Sequence, residues 1–163
     1  MTTWPGWSDD TTLVLPLDDA PPGGTLELGG RRFEAKNELH VTLVGKLLGA
    51  ELRHALGDRL DAATRPAFEA LDWWYARTGE HRLIERPDTT DDGDRGTVAS
   101  VIELIELPAL DWYYRWLGEL LGRQLPVPPA HVTLYTHRKA KGIGIPTTQS
   151  LRAWSRGAVP VPA

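Results

Sequence analysis

The chemistry in this chain starts from a repeated tetrapeptide: His40-Val-Thr-Leu43 recurs as His131-Val-Thr-Leu134, and nothing else in the 163 residues repeats so clearly. On a β-strand, side chains at i and i+2 share a face. Each copy therefore offers an imidazole beside a hydroxyl, His40 with Thr42 and His131 with Thr133, while Val41, Leu43, Val132 and Leu134 anchor the other face. Two such pairs facing each other suit phosphate chemistry. One neutral imidazole takes a proton from the attacking oxygen and one protonated imidazole gives a proton to the leaving oxygen. The two Thr hydroxyls donate to the non-bridging oxygens, where charge builds up. The scheme needs no metal and no other cofactor.

The elements that must position these residues follow from local patterning. Thr11 to Leu17 reads as a strand, Thr25 to Ala35 as a hairpin turning at Gly29-Gly30, and Leu39 to Val44 as the first motif strand. Leucines 47, 48, 52, 56 and 60 fall at helical spacing. So do Phe68, Leu71, Trp74 and Tyr75, beyond an expected break at Arg65-Pro66. His81 to Arg86 and Thr97 to Leu107 read as strands around the loop from Pro87 to Gly96, and Asp111 to Leu121 as a helix. His131 to Thr136 is the second motif strand, Thr148 to Arg156 a short helix, and the tail from Gly157 a frayed end. This order predicts one α+β domain spanning residues 1–163, with helices packed outside a mostly antiparallel sheet. The two motif strands, one in each half of the chain, suggest a bilobal, pseudo-two-fold arrangement whose halves meet at a central cleft.

Composition narrows the partners. Lys and Arg total 18 against 22 Asp and Glu, for a formal charge of −4. Coating a long duplex requires a basic face that releases many counterions, so that role is excluded, whereas a local site for one phosphate is not. With no Cys, the chain has no disulfide framework, thiolate zinc site or cysteine nucleophile. The amino terminus lacks a basic and apolar leader, and no run approaches a membrane span of about 20 apolar residues. A cytoplasmic monomer with no membrane partner is expected.

The paired His-x-Thr motifs, His40-Val-Thr42 and His131-Val-Thr133, resemble those of the two-histidine phosphoesterases, a superfamily that includes RNA 2′,5′-ligase-like proteins and 2′,3′-cyclic phosphodiesterases. The resemblance implies a bilobal α+β fold and metal-independent attack on a cyclic or 2′-linked phosphate of an RNA end or nucleotide. It also implies that His40 and His131 are the acid and base and that Thr42 and Thr133 hold the phosphate. The resulting expectation is an enzyme opening 2′,3′-cyclic phosphates. Its rivals are cleavage of 2′,5′-linked or cyclic oligonucleotides, a non-catalytic module that grips nucleotide or RNA ends, and a metal-dependent hydrolase. The last has no His-Glu-x-x-His helix or His/Asp cluster behind it.

Further residues bear on the substrate. Tyr135, two residues beyond Thr133, is expected on the cleft face. Lys139 and Lys141, in the basic stretch His137 to Pro146, are expected to reach the phosphate. Trp73, Trp74, Tyr75, Trp112, Tyr113, Tyr114 and Trp116 read as core before they read as a base-stacking surface. The acidic loop Asp88 to Asp94 reads as a solvated turn, and His54 and His81 as surface residues.

Overall fold

The computed structural model describes residues 2–162. Its strands form two antiparallel sheets with helices packed against them, an α+β architecture. Strand β1 (Leu13–Pro16) pairs with β4 (His40–Val44) in a two-stranded sheet. The larger sheet has six strands in the order β2 (Thr25–Leu28), β3 (Arg31–Ala35), β7 (His131–His137), β6 (Arg95–Glu106), β5 (Ala76–Thr89) and β8 (Ser155–Ala158). The two motif strands thus lie in different sheets of unequal size, and β4 packs against β7.

Each face of the six-stranded sheet has its own core. On one face, Ala99, Val101 and Ile105 of β6 with Val132 of β7 meet Leu13 and Leu15 of β1, Val41 and Leu43 of β4, and the helices. These are α1 (Lys46–Leu56), α2 (Leu60–Ala70) and α3 (Ala109–Leu121). Phe68, Trp73 and Tyr113 make the aromatic centre of this layer, Phe68 and Trp73 stacked at 4.7 Å and Tyr113 edge-on to Trp73 at 5.5 Å. Each such buried side chain contributes about 1.5–3 kcal/mol by leaving water. On the opposite face, Ile84, Val98 and Ile102 are covered by Ile143 and Ile145 of the loop after β7 and by α4 (Thr148–Trp154).

Alternation explains the division: along β6, odd positions from Ala99 to Ile105 serve the helical layer and even positions from Val98 to Leu104 the other. One close approach fixes α1. Gly49 faces the Thr11 carbonyl so tightly that a Cβ would collide with it, so only glycine lets the amino-terminal segment cross the helix.

Several local expectations are corrected. Pro66 sits inside α2 and does not end it. The helical run breaks instead at the 3-10 turn Gly57–Arg59. The proline is exposed, and side chains from α3 serve two nearby carbonyls: Trp116 Nε1 donates to Ala63 O at 2.8 Å and the Tyr113 hydroxyl to Thr64 O at 3.1 Å. These contacts pin α2 to α3 beside the proline, whose own missing N–H leaves the Ala62 carbonyl without its helical donor. Leu71, Trp74 and Tyr75 fall beyond α2 in extended chain. The tail is not frayed at its start: β8 completes the sheet edge, and Val159 donates its N–H to His81 O at 3.1 Å.

Candidate functional site

Strand β4 delivers His40 and Thr42 because its neighbours are held elsewhere. Val41 and Leu43 are fully inserted in the helical layer, which turns the alternate residues, half-buried His40 and Thr42, the other way. Tyr114 tightens this anchor by donating its hydroxyl to Leu43 O at 2.6 Å. On β7, His131 pairs across the sheet with Leu104 and Thr133 with Ile102, so both lie on the face away from the helices. The charge of His40 is felt at His131, which places the two motifs within electrostatic reach of each other.

The two imidazoles differ in surroundings. His131 Nδ1 lies 3.0 Å from Pro129 O. That carbonyl can only accept, so Nδ1 carries the hydrogen and Nε2 is left with the free lone pair. His40 Nδ1 lies 3.3 Å from Glu38 Oε1, close enough for charge attraction, yet this buried nitrogen has no aligned hydrogen-bond partner. The pKa values of both rings lie below the ordinary histidine value. Burial is the main cause for His40, with Glu38 opposing and Lys36 adding to it. For His131 burial again leads, opposed by the Pro129 carbonyl and reinforced by His40.

Tyr135 is a correction. Between Ile102↔Thr133 and Val101↔Tyr135, β6 advances one residue while β7 advances two, so Leu134 is a β-bulge. The bulge resets the alternation, and Tyr135 faces the helical layer, 3% exposed, instead of sharing the face of Thr133. The two lysines separate as well. Lys139 is committed to Asp88 of β5, with Nζ 2.7 Å from Oδ2. That ammonium is the largest influence holding the Asp88 carboxyl down at about 2. Lys141 is exposed, and its charge is felt at Asp10. The acidic turn is therefore more than solvated chain, since Asp88 and Asp91 both tie down the loop after β7; Asp91 Oδ2 accepts from Ala140 N at 2.8 Å.

That loop forms the roof of the second motif. Gly142, at φ +80°, sits where a Cβ would lie 3.3 Å from Thr133 Oγ1 and 3.6 Å from Ser100 Oγ. Ser100 is fully buried and its hydroxyl has no partner, an orphan that sequence reading did not find. Gly142→Ala is expected to cost about 1–2 kcal/mol from the left-handed backbone alone, with a further loss as Thr133 is displaced. Thermal denaturation of the variant measures this.

Other candidates lie elsewhere. Trp74 (55% exposed) and Trp112 (59%) flank an apolar hollow of about 420 Å³, so the aromatic runs are only partly core. A cavity of about 670 Å³ opens along α3 at Tyr114, Gly118 and Arg123. Neither is lined by an imidazole, so neither offers a proton donor and acceptor pair near neutrality. His54 is exposed, but His81 is not a bare surface residue: its Nε2 lies 2.9 Å from the buried Glu103. Among the described residues no three His, Asp or Glu side chains gather as metal ligands, and no helix is long and apolar enough to cross a membrane.

No family model matches the chain, and no curated protein or solved structure matches it either.

Proposed function

We propose that the protein is a phosphodiesterase that opens 2′,3′-cyclic phosphates of nucleotides or RNA ends by two-histidine acid–base catalysis. The observation that carries this reading is the pairing of two non-equivalent imidazoles, each with a Thr hydroxyl two residues on, on strands that pack against each other. His131, with its hydrogen committed to Pro129 O, is the general base through Nε2. His40, beside the Glu38 carboxylate, is the better cation and the general acid.

In the reaction, His131 takes a proton from water as the water oxygen bonds to phosphorus. The bond from phosphorus to the 2′ or 3′ oxygen breaks, and His40 protonates that oxygen. The product is a phosphomonoester, and solvent exchange restores the two rings to their starting states. Thr42 and Thr133 donate to the non-bridging oxygens, each contributing about 1.5–3 kcal/mol. In this scheme the site serves a small cyclic phosphate or strand end, consistent with the negative overall charge.

The pH dependence follows from the electrostatics. Above the ordinary histidine pKa of about 6.5, both rings of the free protein are neutral and the acid is missing. Far below it both are charged and the base is missing. Because both values are depressed, the singly protonated pair peaks below that point. A bell-shaped kcat/KM profile with its maximum on the acid side of pH 6.5 is expected; a plateau rising through pH 8 would contradict the assignment.

A substrate panel in excess chelator tests the reaction class. Hydrolysis of 2′,3′-cyclic mononucleotides is the expected result. Reaction of only 2′,5′-linked or cyclic oligonucleotides would move the same site to those substrates. Tight binding without turnover would make it a binding module, and activity abolished by chelator would point to a metal-dependent hydrolase.

A further inference from the structure

The expected phosphate contacts, Lys139 and Lys141, are respectively paired with Asp88 and exposed near Asp10. A different lysine occupies the motif face. Ala35 pairs with Tyr135 on the helical side, so Lys36, the next residue, turns to the side of His131 and Thr133. Its N–H donates to the carbonyl of the bulge residue Leu134 at 2.9 Å. Its Nζ reaches over to donate to Ala140 O at 2.9 Å, two residues before the Gly142 that roofs Thr133. Lys36 therefore spans the space between the second motif strand and its roof. Its chain neighbours lead straight into β4 and His40.

The side chain is half-buried, and among the described residues no carboxylate pairs with it. One of its three N–H donors is spent on a neutral carbonyl, which leaves the charge uncompensated and two donors open. An ammonium with open donors and no carboxylate beside it is a ready partner for an anion. The charge of Lys36 reaches His40, and its Nζ holds the loop that covers Thr133, so it lies beside groups that would surround a phosphoryl oxygen.

We propose that Lys36 is the phosphate-binding cation of this site, holding an anionic oxygen of the cyclic phosphodiester between the two motifs. The inference rests on the two-histidine reading for its reaction, but not for its anion. Lys36 adds Coulombic attraction for a monoanionic diester and its dianionic product. Its charge also acts against protonation of His40, and a bound phosphate neutralises that charge. Substrate binding thus favours the protonated His40 that the reaction needs.

Lys36→Gln keeps a donor for Ala140 O and removes the charge; Lys36→Arg keeps the charge. The expected result is a fall in kcat/KM of about 10–100-fold for K36Q, carried mainly by KM, with a flatter salt dependence and partial rescue in K36R. In ligand-free K36Q the His40 ring is expected to titrate at higher pH by NMR, a change that simple loss of a loop latch would not produce. Inorganic phosphate, followed through the His40 and His131 ring signals, should bind the wild type more tightly than K36Q. Equal kinetics and equal phosphate binding in K36Q and wild type would overturn the role of Lys36 while leaving the two-histidine reading intact. No turnover by the wild type, with phosphate binding still dependent on Lys36, would instead overturn the reaction and support the anion site. Absence of both turnover and phosphate binding would overturn the two together.

Discussion

His131→Ala is expected to lower kcat/KM for a 2′,3′-cyclic nucleotide by about 10²–10⁴, with His40→Ala in the same range, because each removes one positioned proton-transfer group worth about 3–5 kcal/mol of barrier. Both rings lie on the side of their strands away from the main core, whose anchors Val41, Leu43, Val132 and Leu134 are untouched by the changes. The fold should therefore survive, and circular dichroism with thermal denaturation checks that it does. Asymmetry between the variants is informative. An added small base such as imidazole can stand in for His131, whose role requires a free lone pair. The His40 variant should lose the high-pH limb of the profile, since the charged partner beside Glu38 is gone. The double variant should lose little more than the worse single one, as residues acting in one step are not additive. Thr42→Ala and Thr133→Ala remove only hydrogen bonds to anionic oxygens and are expected to be milder. Unchanged turnover in either histidine variant would remove the mechanism.

The largest expected effect on stability comes from a residue outside the proposed chemistry. Glu103 of β6 is 3% exposed and faces the helical side, beside Val132 of the second motif strand. It accepts from Arg77 through both oxygens, at 2.7 and 3.0 Å, from the His81 ring at 2.9 Å and from Gly79 N at 3.3 Å. Burial pushes its carboxyl up, but these donors together outweigh burial and hold it below its usual value. Arg77 in turn contacts Asp19 at 3.2 Å, and the Tyr75 hydroxyl donates to the same carboxylate. The network thereby links the loop that leaves β1 to the six-stranded sheet, and so helps hold the two-stranded sheet that carries His40 beside the strand that carries His131.

Breaking one partner of a buried charged network costs about 3–5 kcal/mol. Arg77 and His81 keep some access to water, which places Glu103→Ala toward the lower end of that range. Glu103→Gln retains an acceptor and should cost less. Chemical denaturation of the three proteins, with activity measured on the folded fraction, separates stability from alignment of the motifs. A loss of under about 0.5 kcal/mol, the scale of ordinary surface changes, would show that the network does not hold the sheets together.

The parts of this molecule written in local sequence are those in which one residue pattern has one physical reading. The alternation in LHVTLV and HVTLYT yields two half-buried strands with His and Thr outward, because Val and Leu have only the core to go to. The hairpin at Gly29-Gly30 is equally local, since both glycines adopt positive φ. What was not legible depends on partners distant in sequence. Proline 66 reads as a breaker in local sequence, yet Trp116 and Tyr113, about fifty residues on, pin the helix that contains it to α3. The Ser155–Ala158 segment has no strand signal of its own and is a strand only because β5 offers an edge.

The same holds at the site. Tyr135 follows the period of two in sequence, and only the register with β6 reveals the bulge that turns it away. Lys36 lies four residues before the first motif histidine, yet its significance rests on Ala140, 104 residues away. Lys139 attracts notice as a basic residue after a motif, but charge in sequence does not show that Asp88 already holds it. Ser100 carries no signal at all in a run of apolar β6 residues.

The most direct measurement is a ³¹P NMR time course of a 2′,3′-cyclic nucleoside monophosphate with the wild-type protein in excess chelator, below pH 6.5. The cyclic phosphodiester resonance is expected to decay into a single phosphomonoester resonance, with His40→Ala and His131→Ala each slowing this by about 10²–10⁴. Persistence of the cyclic resonance with stoichiometric folded protein, or equal decay in the histidine variants, would contradict the two-histidine mechanism.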